Sequence, residues 1–459
     1  MSKISSPWLY QLKCKRKEKK LIKDTQVTVV IIGGGIAGIC TAFFVLKNTR
    51  ASVLLLEAHR VAHGATGHNA GQIASYFEKP FAEIVKEFGF KMAIAGQKSV
   101  ESAWELLENI YQEVNLKTPY WSFPGYAGIC NFEEVLFHLK DIAWQQKSGI
   151  NNTEKMLISE SAPFLQKITH AYRDCFSLVP QKDILSLLQT KNKKFQATLV
   201  KRKGCLNSAN FTEELAGYLL AKYRDRFELA EQSPVSNIIL REQSALLTVN
   251  DHLVVAKKVV LCTNGFEKFT IINTVGEEIN NKFHHLIKGV IGYMAGYLDK
   301  AGDPPTAISY LPHHGEVDSA YVTDPYFYLT RRPFEEKGKV LRNLICIGGP
   351  EVDLEDTNEY VRDEHKYPIQ AQKDIDLFLH KTYLPSPKGR INYKFRWHGL
   401  MGYTPNGIRL IGIEPYNPVL LYNLGCNGVG ILSSIYGGSR ISQIIAGRKV
   451  ERSIFDPKK

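Results

Sequence analysis

None of the eight cysteines (Cys14, Cys40, Cys130, Cys175, Cys205, Cys262, Cys346 and Cys426) stands in a CxxC pair or at any other metal-ligand spacing. A structural disulfide or zinc site is therefore not expected, no metal is assigned, and reduced, mostly buried thiols point to a cytoplasmic protein. The adjacent His313 and His314 have no third ligand near them in sequence and read as a loop pair. Internal repeats are absent, and so is low-complexity sequence beyond a lysine-rich N-terminus. The first apolar run has no small-residue cleavage site, which argues against a secretory leader.

Charge is unevenly supplied. Of the formal +12 carried by 459 residues, residues 1–25 contribute +6, with eight Lys/Arg set against Glu18 and Asp24. This stretch reads as a solvated basic tail, a candidate for peripheral contact with a membrane face or an acidic partner. The remaining excess is spread over more than 400 residues, so no specific nucleic-acid partner is expected. With 44% hydrophobic residues the chain fills ordinary cores and suits two interleaved domains.

Residues 27–46, VTVVIIGGGIAGICTAFFVL, carry no charge and are long enough to cross a bilayer. Their glycines argue otherwise. Gly33, Gly35 and Gly38 form GxGxxG between a β-branched run and an alanine-containing helical pattern. There the first glycine permits a tight turn, the second admits a pyrophosphate and the third packs helix on strand. Ile36 and Ala37 then offer unpaired N–H groups at a helix N-terminus to the anion. A second buried strand, SVLLLEA, ends in Glu57 and Ala58, where an acidic side chain accepts both ribose hydroxyls and repels a 2′-phosphate. FAD and NAD both satisfy these features, and no transmembrane segment is expected.

The loop HRVAHGATGHNAGQIA (59–74) separates the two. Its core, Gly64 to Gly71, resembles the second flavin loop of the D-amino-acid oxidase, glycine oxidase and sarcosine oxidase family, and the order GHNAG is similar to that of the γ-glutamylputrescine oxidoreductase branch. The resemblance implies FAD, with Thr66, His68, Asn69, Gly71 and Gln72 around its pyrophosphate and ribityl chain. In dehydrogenase relatives a histidine at a similar place is bonded to the flavin, which leaves covalent and non-covalent roles open for His68. Three further stretches resemble the family in the expected order. FELAEQSPVSNI places Val235 at the adenine, and AKKVVLCTNGF places Thr263, Asn264 and Gly265 near the flavin. The C-terminal signature runs through RWHGLMGYTPNG to LGCNGVGI, with Gly425, Asn427, Gly428, Val429, Gly430 and Ile431 as a glycine turn opening a helix. A helix N-terminus there stabilises the negative charge of a reduced flavin.

These anchors predict an α/β fold: a discontinuous Rossmann-type FAD-binding domain (26–80, 200–268 and 395–459) with an α+β substrate domain built on a mainly antiparallel sheet (81–199, a helical insert, and 269–394). The resemblance implies an oxidoreductase that removes a hydride from the carbon beside an amine nitrogen and leaves an imine for water to hydrolyse. Glycine and D-amino-acid oxidases carry a carboxylate-binding arginine after the Gly-Leu of the signature, where this chain has Met401. A small-molecule amine or N-substituted amino acid is therefore expected, with Arg331, Arg332 and Arg396 as candidates to restore a carboxylate site. Tyr328, Trp397, His398 and Tyr403 are the expected pocket residues, aromatic walls for an amine or a cation. The electron acceptor is O2 or a carrier, since Cys346 stands near the place where some relatives have an oxygen-activating lysine. A dehydrogenase serving a quinone or protein acceptor, a flavoprotein with a decayed pocket and one linked to RNA modification are the alternatives.

Overall fold

A computed structural model describes residues 6–12, 16–149, 154–266, 268–284, 286–311, 326–336, 341–355, 360–362, 365–385 and 389–458. His313, His314 and Cys14 lie outside them.

The uncharged opening run is a strand, Thr25–Ile32, followed by a turn and the helix Ile36–Asn48. Among the described residues no helix is long and apolar enough to cross a membrane. The strand is parallel to Val53–Leu56 on one side and His252–Leu261 on the other. Phe227–Ala230 and Leu420–Leu424 extend this parallel core. Val235–Leu240 and Ala245–Val249 add an antiparallel meander. The central strands read as unbroken apolar runs because both faces are covered. The C-terminal helix, Gly430–Ile445, packs against Ile36–Asn48 so closely that a Cβ on Gly438 would lie 2.8 Å from the Thr41 nitrogen.

A second sheet, mainly antiparallel, faces this unit. Its spatial order runs Phe395–Tyr403, Lys288–Asp299, Arg342–Asp353, Phe327–Phe334, Thr306–Tyr310, Tyr120–Ile129, Ala197–Leu206, Lys155–Ser159, Phe176–Val179. One segment and one boundary differ from expectation. The 81–199 insert is not purely helical, since three of its segments are strands of this sheet. Ala197–Leu206, divided by the expected boundary at 200, also pairs wholly into it. Their alternating polar and apolar residues mark half-buried strands.

The N-terminal stretch is not a free solvated arm. Pro7–Tyr10 is a short helix capped by Ser6, whose hydroxyl donates to the Gly67 carbonyl. Trp8 is fully buried, its indole N–H donating to the Asn69 carbonyl at 2.5 Å. Arg16 forms a two-ended ion pair with Glu213 and Glu231. Lys17, Lys19 and Lys20 remain exposed. Counting charges passed over the apolar residues 7–10, and burial of one indole removes on the order of 150–250 Å² from water.

Candidate functional site

The opening strand ends where only glycine fits. Gly33 has φ +109°, and a Cβ there would lie 2.7 Å from the Cys262 carbonyl oxygen. A Cβ on Gly38 would collide with the Gly33 carbonyl, so the third glycine sets how closely helix meets turn. Gly35 precedes the helix, and the Ile36 N–H donates to Thr66 Oγ1 at 3.0 Å, which ties the flavin loop to the first helical turn. The Ala37 and Gly38 N–H groups belong to the same open helix end. Glu57 accepts from the Gly34 N–H at 2.6 Å and the His59 N–H at 2.9 Å. Burial raises its pKa, opposed by those two donors. Ala58 follows it at the surface, and Val235 begins the strand just beyond Ser233, whose N–H donates to the Glu57 carbonyl at 3.0 Å.

The second loop holds itself. The Asn69 amide donates to the Ala65 and Thr66 carbonyls and to Ser208, and its Oδ1 accepts from the Gly71 N–H at 2.7 Å. Asn69 is thus a staple inside the loop. His68 Nδ1 meets the Gly64 carbonyl at 2.9 Å, and its own carbonyl sits where a Cβ on Gly399 would be. Gly71, with φ +68°, has no room for a Cβ because the Trp8 ring lies against it. Gln72 Nε2 and Thr263 Oγ1 are buried without a partner among the described residues.

The late turn mirrors the early one. Asn264, Gly265, Gly425, Asn427 and Gly428 all have positive φ. Asn264 Oδ1 accepts from the Cys426 N–H at 2.9 Å, joining the two turns. The Asn427 side chain is spent on Thr404 and on the Gly425 carbonyl. Val429 precedes the helix that starts at Gly430, with Ile431 packed into the core. A glycine-lined cradle between two helix N-termini, with unpartnered polar atoms on the residues that follow Gly71 and Cys262, fits a dinucleotide with a planar ring.

Above the cradle stands the inner face of the second sheet. Tyr328 covers Gly348 and points its hydroxyl toward Gly292, and Met401 reaches the same point, 3.1 Å from a Cβ built there. The Tyr403 hydroxyl faces Gly428. Tyr328 and Tyr403 therefore share one wall. Trp397 and His398 cannot join them together, because consecutive strand residues point to opposite faces. Trp397 lies on the inner face but is sealed under Trp8, with ring centroids 6.4 Å apart. His398 points outward, hydrogen-bonded to the Tyr360 hydroxyl at 2.8 Å and beside His365. Burial lowers its pKa to about 4.

The expected arginines are engaged elsewhere. Arg331 donates to the Pro304 carbonyl and to Gln189, and Arg396 to Gln372. Arg332 is enclosed by the Trp8 and Trp121 rings at 4.8 and 5.6 Å. Arg409, near the late turn, gives its guanidinium to Asn423 and the Gly425 carbonyl.

Five residues of this wall escaped sequence reasoning: Tyr76, Glu78, Lys203, Tyr326 and Glu351. Glu78 is exposed to the cavity it lines with Tyr76, Arg409 and Asn427, though protein surrounds it, and a Cβ on Gly428 would touch it at 3.1 Å. Burial raises its pKa against the pull of Lys203 and Lys201. Glu351 is pushed up to about 7 by burial, then by Glu78 and Asp353. Lys203 is buried, donates to Ser309 Oγ at 3.2 Å, and is brought down to about 8 by burial and by Lys201, with Glu78 opposing. The period of two in VKRKGC was the available signal, since it puts Lys201 and Lys203 on one face and Arg202 on the other.

Comparison with known proteins agrees with this geometry. The family model described as "DAO: FAD dependent oxidoreductase" matches residues 28–444. Glycine oxidase from Geobacillus kaustophilus superposes with a TM-score of 0.65 at 14% identity, over 94% of this chain and 98% of that one. L-proline dehydrogenase from P. horikoshii gives 0.67 at 14% identity, over 95% and 97%. A curated Bacillus subtilis (strain 168) protein, YhfW, named as a Rieske 2Fe-2S iron-sulfur protein, is 29% identical over 115 residues. That match spans 25% of this chain and only 22% of the relative.

Proposed function

The chain belongs to the FAD-dependent oxidoreductase (DAO) family, and from that premise we propose that it oxidises the C–N bond of an amine lacking a carboxylate at the reacting carbon. FAD, when bound, takes up the hydride from the carbon beside the nitrogen. The imine left behind is hydrolysed by water.

The observation that carries this reading is the composition of the wall around Met401. Tyrosines and carboxylates line it, and the arginines are turned to other groups: Arg331, Arg396 and Arg409 by hydrogen bonds, and Arg332 by Gln11 and the Trp8 ring, with its Nη1 left unpartnered among the described residues. Of the buried cations among the described residues nearest it, Arg409 gives its guanidinium to Asn423 and the Gly425 carbonyl, and Lys203 has Glu78 near it, which would repel a carboxylate ligand. Within this reading Tyr328 and Tyr403 hold the substrate and keep water out, while Gln72 and Thr263 offer their unpartnered atoms to the cofactor. The helix end at Gly430 favours negative charge on the ring.

A carrier in place of oxygen is the second reading. It is favoured by Cys346, buried on the strand where an oxygen-activating lysine was sought, and by the iron–sulfur name of the partial relative. Aldehyde formation from a panel of primary and secondary amines, measured with oxygen and with a dye acceptor, tests both. Aldehyde from amines but not from glycine or D-alanine supports the proposal. Turnover of D-alanine alone would reject it, and turnover only with the dye would select the carrier.

A further inference from the structure

The wall holds more negative charge than the oxidation of a lone amine calls for. Glu351 stands in register with Gly292, whose bare backbone opens the space shared with Tyr328 and Met401. Glu78 arrives from the segment after the flavin loop. Neither carboxylate has a hydrogen bond or ion pair with a described residue. The other charges around them are already matched: Lys201 pairs with Glu154 at 2.8 Å and Asp353 with Lys288 at 2.5 Å. Tyr76, Tyr326, Tyr328 and Tyr403 are neutral phenols, pushed further up by burial and by the carboxylates themselves. Two carboxylates therefore face Lys203 inside a cage of four tyrosines, while Arg409, on the wall of the cavity that Glu78 lines, is turned to Asn423 and the Gly425 carbonyl; the setting attracts a cation.

That cation is not the reacting nitrogen. A carboxylate beside an ammonium holds its proton, and a protonated amine has no lone pair with which to expel a hydride. We infer that the substrate carries a second, non-reacting ammonium seated between Glu78 and Glu351, so that the enzyme takes a diamine or longer polyamine. This inference rests on the amine-oxidation reading above. The arriving ammonium stabilises both carboxylates in their charged form, so the proton that Glu351 retains near neutral pH is released to solvent on binding.

The test uses the flavin-loaded enzyme without oxygen, with 1,4-diaminobutane and n-butylamine as probes. Half-saturation of flavin bleaching is measured for each, and binding heat is measured at pH 7 in two buffers of different ionisation enthalpy. The diamine is expected to saturate at a concentration at least about tenfold lower, the worth of one charge-assisted contact; both probes shed the proton of the reacting nitrogen, and the diamine heat is expected to differ between buffers by the further fraction of a proton that Glu351 releases. Glu351→Gln, and separately Glu78→Gln, are expected to bring the two probes close together in half-saturation, and Glu351→Gln to remove the extra buffer dependence of the diamine over n-butylamine, while the protein stays yellow. Equal half-saturation of the two probes in the unaltered enzyme, or equal buffer dependence of their heats, overturns the inference. If neither probe bleaches the flavin, the amine reading fails, whereas an excess buffer dependence of the diamine over n-butylamine that Glu351→Gln removes would still support the cation site.

Discussion

Gly33→Ala puts the phosphate turn under the most direct strain. Its φ of +109° is a conformation that side chains rarely adopt, and holding alanine there costs about 1–3 kcal/mol. The new Cβ would lie 2.7 Å from the Cys262 carbonyl oxygen and 2.9 Å from its carbon. Ordinary carbon–oxygen contact begins near ~3.3 Å, so about 0.6 Å must open. Neither side gives way easily: Cys262 directly follows the central strand and its N–H donates to the Ile32 carbonyl at 2.8 Å, and the helix behind the turn is pinned by Gly438 against Thr41. Overpacking of this kind adds about 1–3 kcal/mol. The combined loss is about 2–6 kcal/mol, together with loss of FAD, because the displaced turn no longer presents its N–H groups. The control is the same substitution at Gly217, which is exposed in the helix Ser208–Lys222 with nothing near its Cβ position. There alanine is expected to stabilise by about 0.5–1 kcal/mol. Denaturant unfolding and flavin absorbance per polypeptide measure both. Full flavin content and unchanged stability in Gly33→Ala would refute the reasoning.

Arg16→Ala leaves Glu213 and Glu231 facing each other and is expected to cost about 3 kcal/mol in unfolding experiments at pH 7. Burial pulls the Glu231 pKa up, but Arg16 and the Val61 N–H outweigh it and leave it low. This stabilisation is therefore present above the ordinary carboxylate range and lost as pH falls through the depressed value, so the gap to the unaltered protein should close in acid. The KM for a cationic amine should fall as pH rises through about 7, where Glu351 ionises, changing about tenfold per unit below that point. A pH profile flat between 6 and 8 would contradict this. Met401→Arg sets a guanidinium beside Gly292 and Tyr328 and should shift the ratio of kcat/KM toward D-amino acids, which competition between D-alanine and n-butylamine reports.

The cradle was legible because each of its glycines performs a task no other residue can, at a spacing fixed by strand, turn and helix. Gly33, Gly38 and Gly428 announce themselves for this reason, and Glu57 follows from the length of one βαβ unit. The substrate wall was not legible in the same way. Glu78, Lys203, Tyr328, Glu351 and Tyr403 come from five separate segments, and only strand register brings them onto one face. Strand alternation did imply that Trp397 and His398 could not both face the flavin, and the structure turns His398 outward. Trp8 was hidden by its charged surroundings, and its value lies in a partner surface at Gly71 and Trp397 that the chain reaches only after folding.

The most direct measurement is the visible absorbance of the purified yellow protein after mixing with amines in the absence of oxygen. Loss of the flavin band with aliphatic amines, and its persistence with glycine and D-alanine, is the predicted result. A colourless protein that takes up no FAD, or a band bleached by D-alanine and untouched by every amine, would contradict it.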